Sequence, residues 1–274
     1  MEQCKIVFIG GGNMASSIIG GLLQETFQAK NLYICDPDQE KLNSLQQCHG
    51  VNVTTHNDDF VGLADVLVLA VKPQMMHQVV SSLSSKISKG TLVVSVAAGI
   101  RERDIDRWLG GEHAIVRCMP NTPSLVQSGA SGLYANSQVS EAQHDLAESL
   151  MRAVGIVVWL QDESQMDALT AVSGSGPAYF FLVMEAMEKA AEQLGLPHEM
   201  VHLLTVQTAL GAAKMAMESE EGVAELRRRV TSPGGTTEQG IIALQKGELE
   251  ATFAKALQAA SNRSKELAEM LGGA

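Results

Sequence analysis

Three glycines set between a strand-like apolar run and an amphipathic segment restrict this chain more than any other feature. Gly10-Gly11-Gly12-Asn13-Met14-Ala15 reads G-x-G-x-x-A, directly after KIVFI and before a helical pattern from Ala15 to Leu23. Gly10 permits the tight turn out of the strand, Gly12 lets backbone approach an anionic group, and Ala15 keeps helix and strand close. The helix N-terminus then supplies amide donors to a pyrophosphate. The spacing alone is a weak signal that a merely structural turn could also give. Strand, glycines, helix and a second strand, NLYIC, in that order point to the first βαβ unit of a dinucleotide-binding sheet.

The runs VNVT, DVLVLAV, TLVVSV and AIVRCM follow between mixed or amphipathic segments. Several are apolar without alternation, as strands buried on both faces of a parallel sheet should be. Ser140 and Gln143 have capping-box spacing before a helix, and Gly155 lies beyond it, ahead of a short final strand. This part, residues 1–161, reads as a Rossmann-like, doubly wound α/β domain. Beyond it the β-rich runs vanish and strong helix formers dominate, so residues 162–274 are expected to form an all-helical domain. Its expected helices are 177–194, 197–219, 236–246 and 248–271. AYFFLVMEAM is apolar almost all round and should be buried on more than one side. A second copy of the chain is the simplest cover, and a self-contained bundle core is the alternative.

Asp36 follows the second strand at the interval where an acidic residue accepts from the adenosine ribose hydroxyls. That position favours NADH over NADPH, because a 2′-phosphate would meet a carboxylate. Asp36-Pro37-Asp38 can also be read as a turn that caps the next helix. Ala70-Val71-Lys72-Pro73 and Val96-Ala97-Ala98-Gly99 lie at the carboxyl ends of strands, the edge where open parallel sheets place their ligands. Small residues there leave room for ribose and nicotinamide, and Lys72 adds a donor. The loop Met119-Pro120-Asn121-Thr122-Pro123 holds Asn121 at the same edge, as a substrate contact or as part of a rigid connector.

Two donor-rich loops, Ser173-Gly174-Ser175-Gly176-Pro177 and Thr231-Ser232-Pro233-Gly234-Gly235-Thr236-Thr237, precede helices of the second domain. Gly234 and Gly235 can turn their amides toward a carboxylate, and Thr236 with Gln239 has capping-box spacing. The formal charge of −11 disfavours nucleic acid and anionic membrane as partners. Cys4, Cys35, Cys48 and Cys118 are scattered, no leader or spanning segment stands out, and a reduced, cytoplasmic protein is expected. None of the seven histidines has metal-ligand spacing and no G-x-S-x-G elbow occurs, so no metal site is expected.

With the fingerprint, AVKP, VAAG, RCMPNTP, SGSGPAY and TSPGGTT in order, the chain resembles the pyrroline-5-carboxylate reductase family over nearly its whole length. The resemblance implies an NADH- or NADPH-dependent reduction of a cyclic imino acid to L-proline, the last step of proline biosynthesis. It implies that Gly10, Gly11, Gly12, Asn13 and Met14 form the phosphate loop and that Asn57 lies near the adenosine. Ala70, Val71, Lys72, Pro73 and Ala97 would line the ribose and nicotinamide. Substrate contacts fall on Glu163, Ser232, Gly234, Gly235, Thr236 and Thr237, with Thr237 beside the ring nitrogen. The family's site forms where the cofactor domain meets helices of a dimer partner, and dimers often assemble into decamers. Asp36 departs from relatives that carry a small or hydroxylated residue and use NADPH. Two other readings remain: a 3-hydroxy acid dehydrogenase of similar architecture, for which Lys72 stands too early to be the base, and a noncatalytic dinucleotide-binding module, which would not need TSPGGTT.

Overall fold

The computed structural model describes residues 4–25 and 27–273. β1 (Ile6–Ile9) is buried along its whole length. Ile6 and Phe8 pack into one apolar cluster and Val7 and Ile9 into another, so the alternation of side chains serves two cores at once. That explains why the strand reads as a continuous apolar run. α1 (Asn13–Gln24) returns to β2 (Leu32–Cys35), and α2 (Gln39–His49) leads to β3 (Asn52–Thr54). β4 (Val66–Leu69), α3 (Met76–Leu83), β5 (Leu92–Ser95), α4 (Glu102–Leu109) and β6 (Ala114–Met119) complete the wound part.

Sheet order is β3-β2-β1-β4-β5-β6-β7-β8, with β1 parallel to both β2 and β4. The reversal at β1 opens the crevice where such sheets bind ligands. Two strands extend the edge: β7 (Gly129–Ala135), antiparallel to β6, and β8 (Gly155–Trp159), parallel to β7 and reached through α5 (Glu141–Arg152). The box expected before α5 forms, with Ser140 Oγ accepting from Gln143 N and Gln143 accepting from Ser140 N.

The described residues pack as two compact units, one running up to Ser175 and resuming at Ala259, the other Gly176–Gln258. The expected division at 161/162 falls ahead of α6 (Gln165–Leu169) and a π-helical turn (Thr170–Gly174), both in the first unit. They belong there physically: Leu169 Cδ1 fills the space a side chain on Gly132 would need, and Met119 packs on Gly174. The second unit holds α7 (Gly176–Gln193), α8 (His198–Glu218), α9 (Val223–Arg229), α10 (Thr236–Lys246) and the start of α11 (Leu249–Gly272). Within the chain the apolar face of α7 is uncovered, so no self-contained bundle core covers it: only Gly176 is buried, and Phe181 is 64% exposed. Among the described residues no helix is long and apolar enough to cross a membrane.

Candidate dinucleotide site and substrate loop

At the carboxyl end of β1 the chain turns through Gly10, whose φ of +103° belongs to the left-handed side of backbone space. A Cβ there would sit 2.6 Å from the Ala70 carbonyl oxygen, so the position is closed to other residues on two counts. Gly12, by contrast, faces open space and is the N-cap of α1 without a side-chain cap. The first amides of α1 thus have no side-chain cap where the helix dipole favours an anion.

A cavity of about 560 Å³ lies against this turn, lined among others by Gly10, Gly12, Asp36, Asn57, Ala70 and Lys72. Val71 joins them, so seven of the residues singled out for the cofactor meet on one concavity. The size suits a dinucleotide half enclosed by protein. Gly11 does not line it. Its amide instead donates to Asp36 Oδ2 at 2.8 Å, and a side chain at Gly11 would press on Leu45. Asn13 is exposed at the start of α1, Met14 packs against the first core cluster, Pro73 opens a short 3₁₀ turn, and Ala97 belongs to the second cluster.

Asp36 itself is 7% exposed and committed on both oxygens: Oδ2 accepts from Gly11 N, and Oδ1 from Asp38 N at 2.9 Å. The helix-capping role belongs to Asp38, whose Oδ1 accepts from Glu40 N and Lys41 N. The two readings of Asp36-Pro37-Asp38 are therefore divided between the two carboxylates. Burial, reinforced by the Asp59 carboxylate, pushes the neighbouring Cys35 thiol up to about 12, so it stays protonated and is no nucleophile. Lys41, in the first turn of α2, lines the cavity and was not singled out in the sequence. A lysine in a first helical turn reads as solvated, and the signal that could have found it is its distance of five residues from Asp36.

Farther along the same sheet edge, Asn121 clamps two segments through both ends of its amide. Its Nδ2 donates to the Ser173 carbonyl at 3.1 Å and its Oδ1 accepts from Ala130 N at 2.9 Å, which is the connector reading. Glu163 Oε1 accepts from Arg117 Nη1 at 2.9 Å and from Glu102 N at 2.8 Å, pinning the segment before α6 to β6 and α4.

Glu163 lies in the first unit and Ser232–Thr237 in the second. In that loop Gly234 has φ +74° and Gly235 is the N-cap of α10. No side chain caps this helix, so the box expected from Thr236 and Gln239 does not form. The reason is local: Gly235 already has extended backbone geometry and its own carbonyl accepts from Gln239 N, which makes Thr236 the first helical residue. The Gly234 amide donates to Glu238 Oε2 at 2.8 Å.

Sheet order, glycine turn and cavity together define a protein of the dinucleotide-binding, doubly wound α/β class. Residues 5–99 match the family described as NADP oxidoreductase, coenzyme F420-dependent, and residues 163–267 that described as pyrroline-5-carboxylate reductase dimerisation. The chain belongs to the pyrroline-5-carboxylate reductase family: it is 53% identical over 272 residues to the enzyme of Pseudomonas aeruginosa, covering 99% of this chain and 100% of that one. A solved pyrroline-5-carboxylate reductase from Coxiella burnetii superposes with a TM-score of 0.94 at 49% identity, covering 97% of this chain and 99% of the other. The pyrroline carboxylate reductase of Plasmodium falciparum, solved with NADP bound, gives 0.86 at 30% identity, over 98% of this chain and 99% of that one.

Proposed function

We propose that this chain reduces the C=N bond of 1-pyrroline-5-carboxylate to give L-proline. The observation that carries this is the match at 53% identity along essentially the whole length of a pyrroline-5-carboxylate reductase, with the glycine turn and cavity intact. The bound dinucleotide supplies the hydride that forms the new C–H bond, while the imine π electrons pass to nitrogen, which gains a proton. The substrate is already electrophilic, so the protein's work is positioning, bringing donor and acceptor carbons to about 3–3.5 Å.

In this reading Gly10, Gly11, Gly12, Asn13 and Met14 hold the pyrophosphate. Asp36 and Asn57 hold the adenosine end, and Ala70, Val71, Lys72, Pro73 and Ala97 make room for the ribose and nicotinamide. The two oxygens of Asp36 keep acceptor capacity beside their backbone donors, which supports ribose hydroxyls over a 2′-phosphate and hence NADH over NADPH. Ser232, Gly234, Gly235 and Thr236 take the substrate carboxylate at the mouth of α10, with Glu163 as the acidic substrate-side residue. The Thr237 hydroxyl stabilises the ring nitrogen as its bonding changes.

The uncovered apolar side chains of α7, within the segment that matches the dimerisation family, support a homodimer, and we extend this to decamers. The four free cysteines suit a reducing compartment, and we place the protein in the cytoplasm. The test is dinucleotide oxidation by purified protein with 1-pyrroline-5-carboxylate, with proline identified as product. Turnover of 3-hydroxy acids and none of the imine would overturn the reading.

A further inference from the structure

The cavity at the end of β2 carries an asymmetry that its glycines do not explain. Asp36 is locked by two backbone amides, so it cannot swing aside without leaving Gly11 N and Asp38 N unpaired. A second anion at the same place would meet a fixed negative charge. Yet a cation stands beside it: Lys41 Nζ is 3.9 Å from Asp36 Oδ1 and 3.4 Å from Asp38 Oδ2, and both Lys41 and Asp36 line the cavity. The lysine side chain is half exposed, and it stands at the long end of hydrogen-bonding distance from Asp38 and beyond it from Asp36. A half-exposed lysine held this loosely can turn toward a new anion at little cost. Of the other charged groups on this wall, Asp58 is paired with Lys86, and Lys72 stands after β4 beside Ala70, across β1 from the Asp36 turn.

We propose that Lys41 is the specificity-determining residue that admits a 2′-phosphate beside Asp36, so that the chain accepts NADPH as a second cofactor through one mobile ammonium group. With a ribose hydroxyl in place, Lys41 stays with Asp36 and Asp38. With a phosphate in place, it turns outward and neutralises the new charge next to the carboxylate that cannot move. Its backbone amide remains on Asp38 Oδ1 in either case, so α2 keeps its cap. This rests on the reading of the cavity as the dinucleotide site.

The test separates the phosphate from the rest of the cofactor. Adenosine 2′,5′-bisphosphate and adenosine 5′-monophosphate are titrated calorimetrically into the purified wild type, Lys41→Met and Lys41→Arg, and catalytic efficiencies are measured with both cofactors. Lys41→Met should weaken the bisphosphate by about tenfold or more and the monophosphate by less than about twofold, a difference of the size expected for one charge-assisted bond. The ratio of NADPH to NADH efficiency should fall in parallel, and Lys41→Arg should restore most of both. Added salt should weaken bisphosphate binding in the wild type more than in Lys41→Met. Equal losses for the two fragments, or an unchanged cofactor ratio in Lys41→Met, would overturn the role of Lys41 while leaving the cavity's assignment standing. Failure of either fragment, and of NADH, to bind the wild type would remove that assignment and the proposal with it.

Discussion

Glu238 and Gly234 are joined head to tail at the mouth of α10, the carboxylate of one accepting the amide of the other at 2.8 Å. A side-chain carboxylate thus occupies a donor that the proposed function reserves for the substrate's. Glu238→Ala should lower the Michaelis constant for the imino acid by roughly two- to tenfold, the worth of one such bond. A slightly lower melting temperature should accompany it, because an acidic group leaves the helix's first turn. A Michaelis constant that stays level or rises in steady-state assays would show that the bond shapes the loop rather than competing for it.

Thr237→Ala should leave stability unchanged, since Gly235 caps α10 and neither threonine hydroxyl does. If the hydroxyl donates to nitrogen as the imine is reduced, the rate constant should drop by roughly ten- to a thousand-fold with little change in substrate affinity. Thr237→Ser should recover part of the rate. A folded Thr237→Ala protein with ordinary kinetics would remove the residue from the mechanism.

Asp36→Ser should move cofactor preference toward NADPH and should also cost stability. The buried amide of Gly11 and the part-buried amide of Asp38 lose their acceptors, a loss of about 1–3 kcal/mol for the buried one where serine cannot reach and less for the other, which water can reach. Denaturant melts beside cofactor kinetics check both effects. A preference shift without any loss of stability would mean that the two bonds are not held in solution.

His113 makes stability depend on acid. It is 2% exposed, and burial first, then Lys89, hold its imidazole below the ordinary value against the opposing pull of Asp106 and Glu112. A histidine whose folded value is depressed favours the native state while neutral, so its contribution is present above about pH 6.5 and lost as pH falls toward the folded value. Melting temperatures between pH 7.5 and 5 should fall less steeply in His113→Gln than in the wild type. Parallel slopes would show that other groups govern the acid limb.

The apolar face of α7 should hold copies of the chain together. Dimers or larger assemblies are expected to persist at micromolar concentration in sedimentation, and Phe181→Asp should shift them toward monomer. An active wild-type monomer would contradict a shared assembly.

The wound part of the sheet was legible because its central strands, β1, β4 and β5, are buried on both faces and announce themselves as apolar runs, while the half-buried edge strand β3 is the exception. β7 was not: GASGLYA is built largely of small residues that match no strand pattern, and it is held by pairing with β6 and β8 rather than by its own propensity. The π-helical turn before α7 hid in the same way, because Ser173 and Gly174 read as a loop until Asn121 supplies a donor to the Ser173 carbonyl. α9 is short and charged and has no apolar stripe to announce it; its arginines lie at the surface, Arg228 paired with Glu225 and Arg229 with Glu221. Of the residues lining the cavity at the glycine turn, Gly10, Gly12, Asp36 and Ala70, Val71 and Lys72 were legible from their places after strands, Asn57 only through the family resemblance, and Lys41 not at all. The bonds that fix Asp36 and the tether on Lys41 were not legible either, since both depend on where side chains point across a turn.

The last turns of α11 return to the unit with which the chain began. Ser264 donates to the buried Asp167 at 2.6 Å, Leu267 and Leu271 pack on Gly99, and Arg107 donates to the Gly272 carbonyl at 2.5 Å. During synthesis the dinucleotide-binding sheet can therefore pair all eight strands long before it can close, because its final buttress follows the whole helical unit in the chain. A nascent chain paused inside the helical unit carries Asp167 without its buried hydroxyl partner and Gly99 without its cover, and the emergence of the last turns of α11 is the event that finishes the first unit.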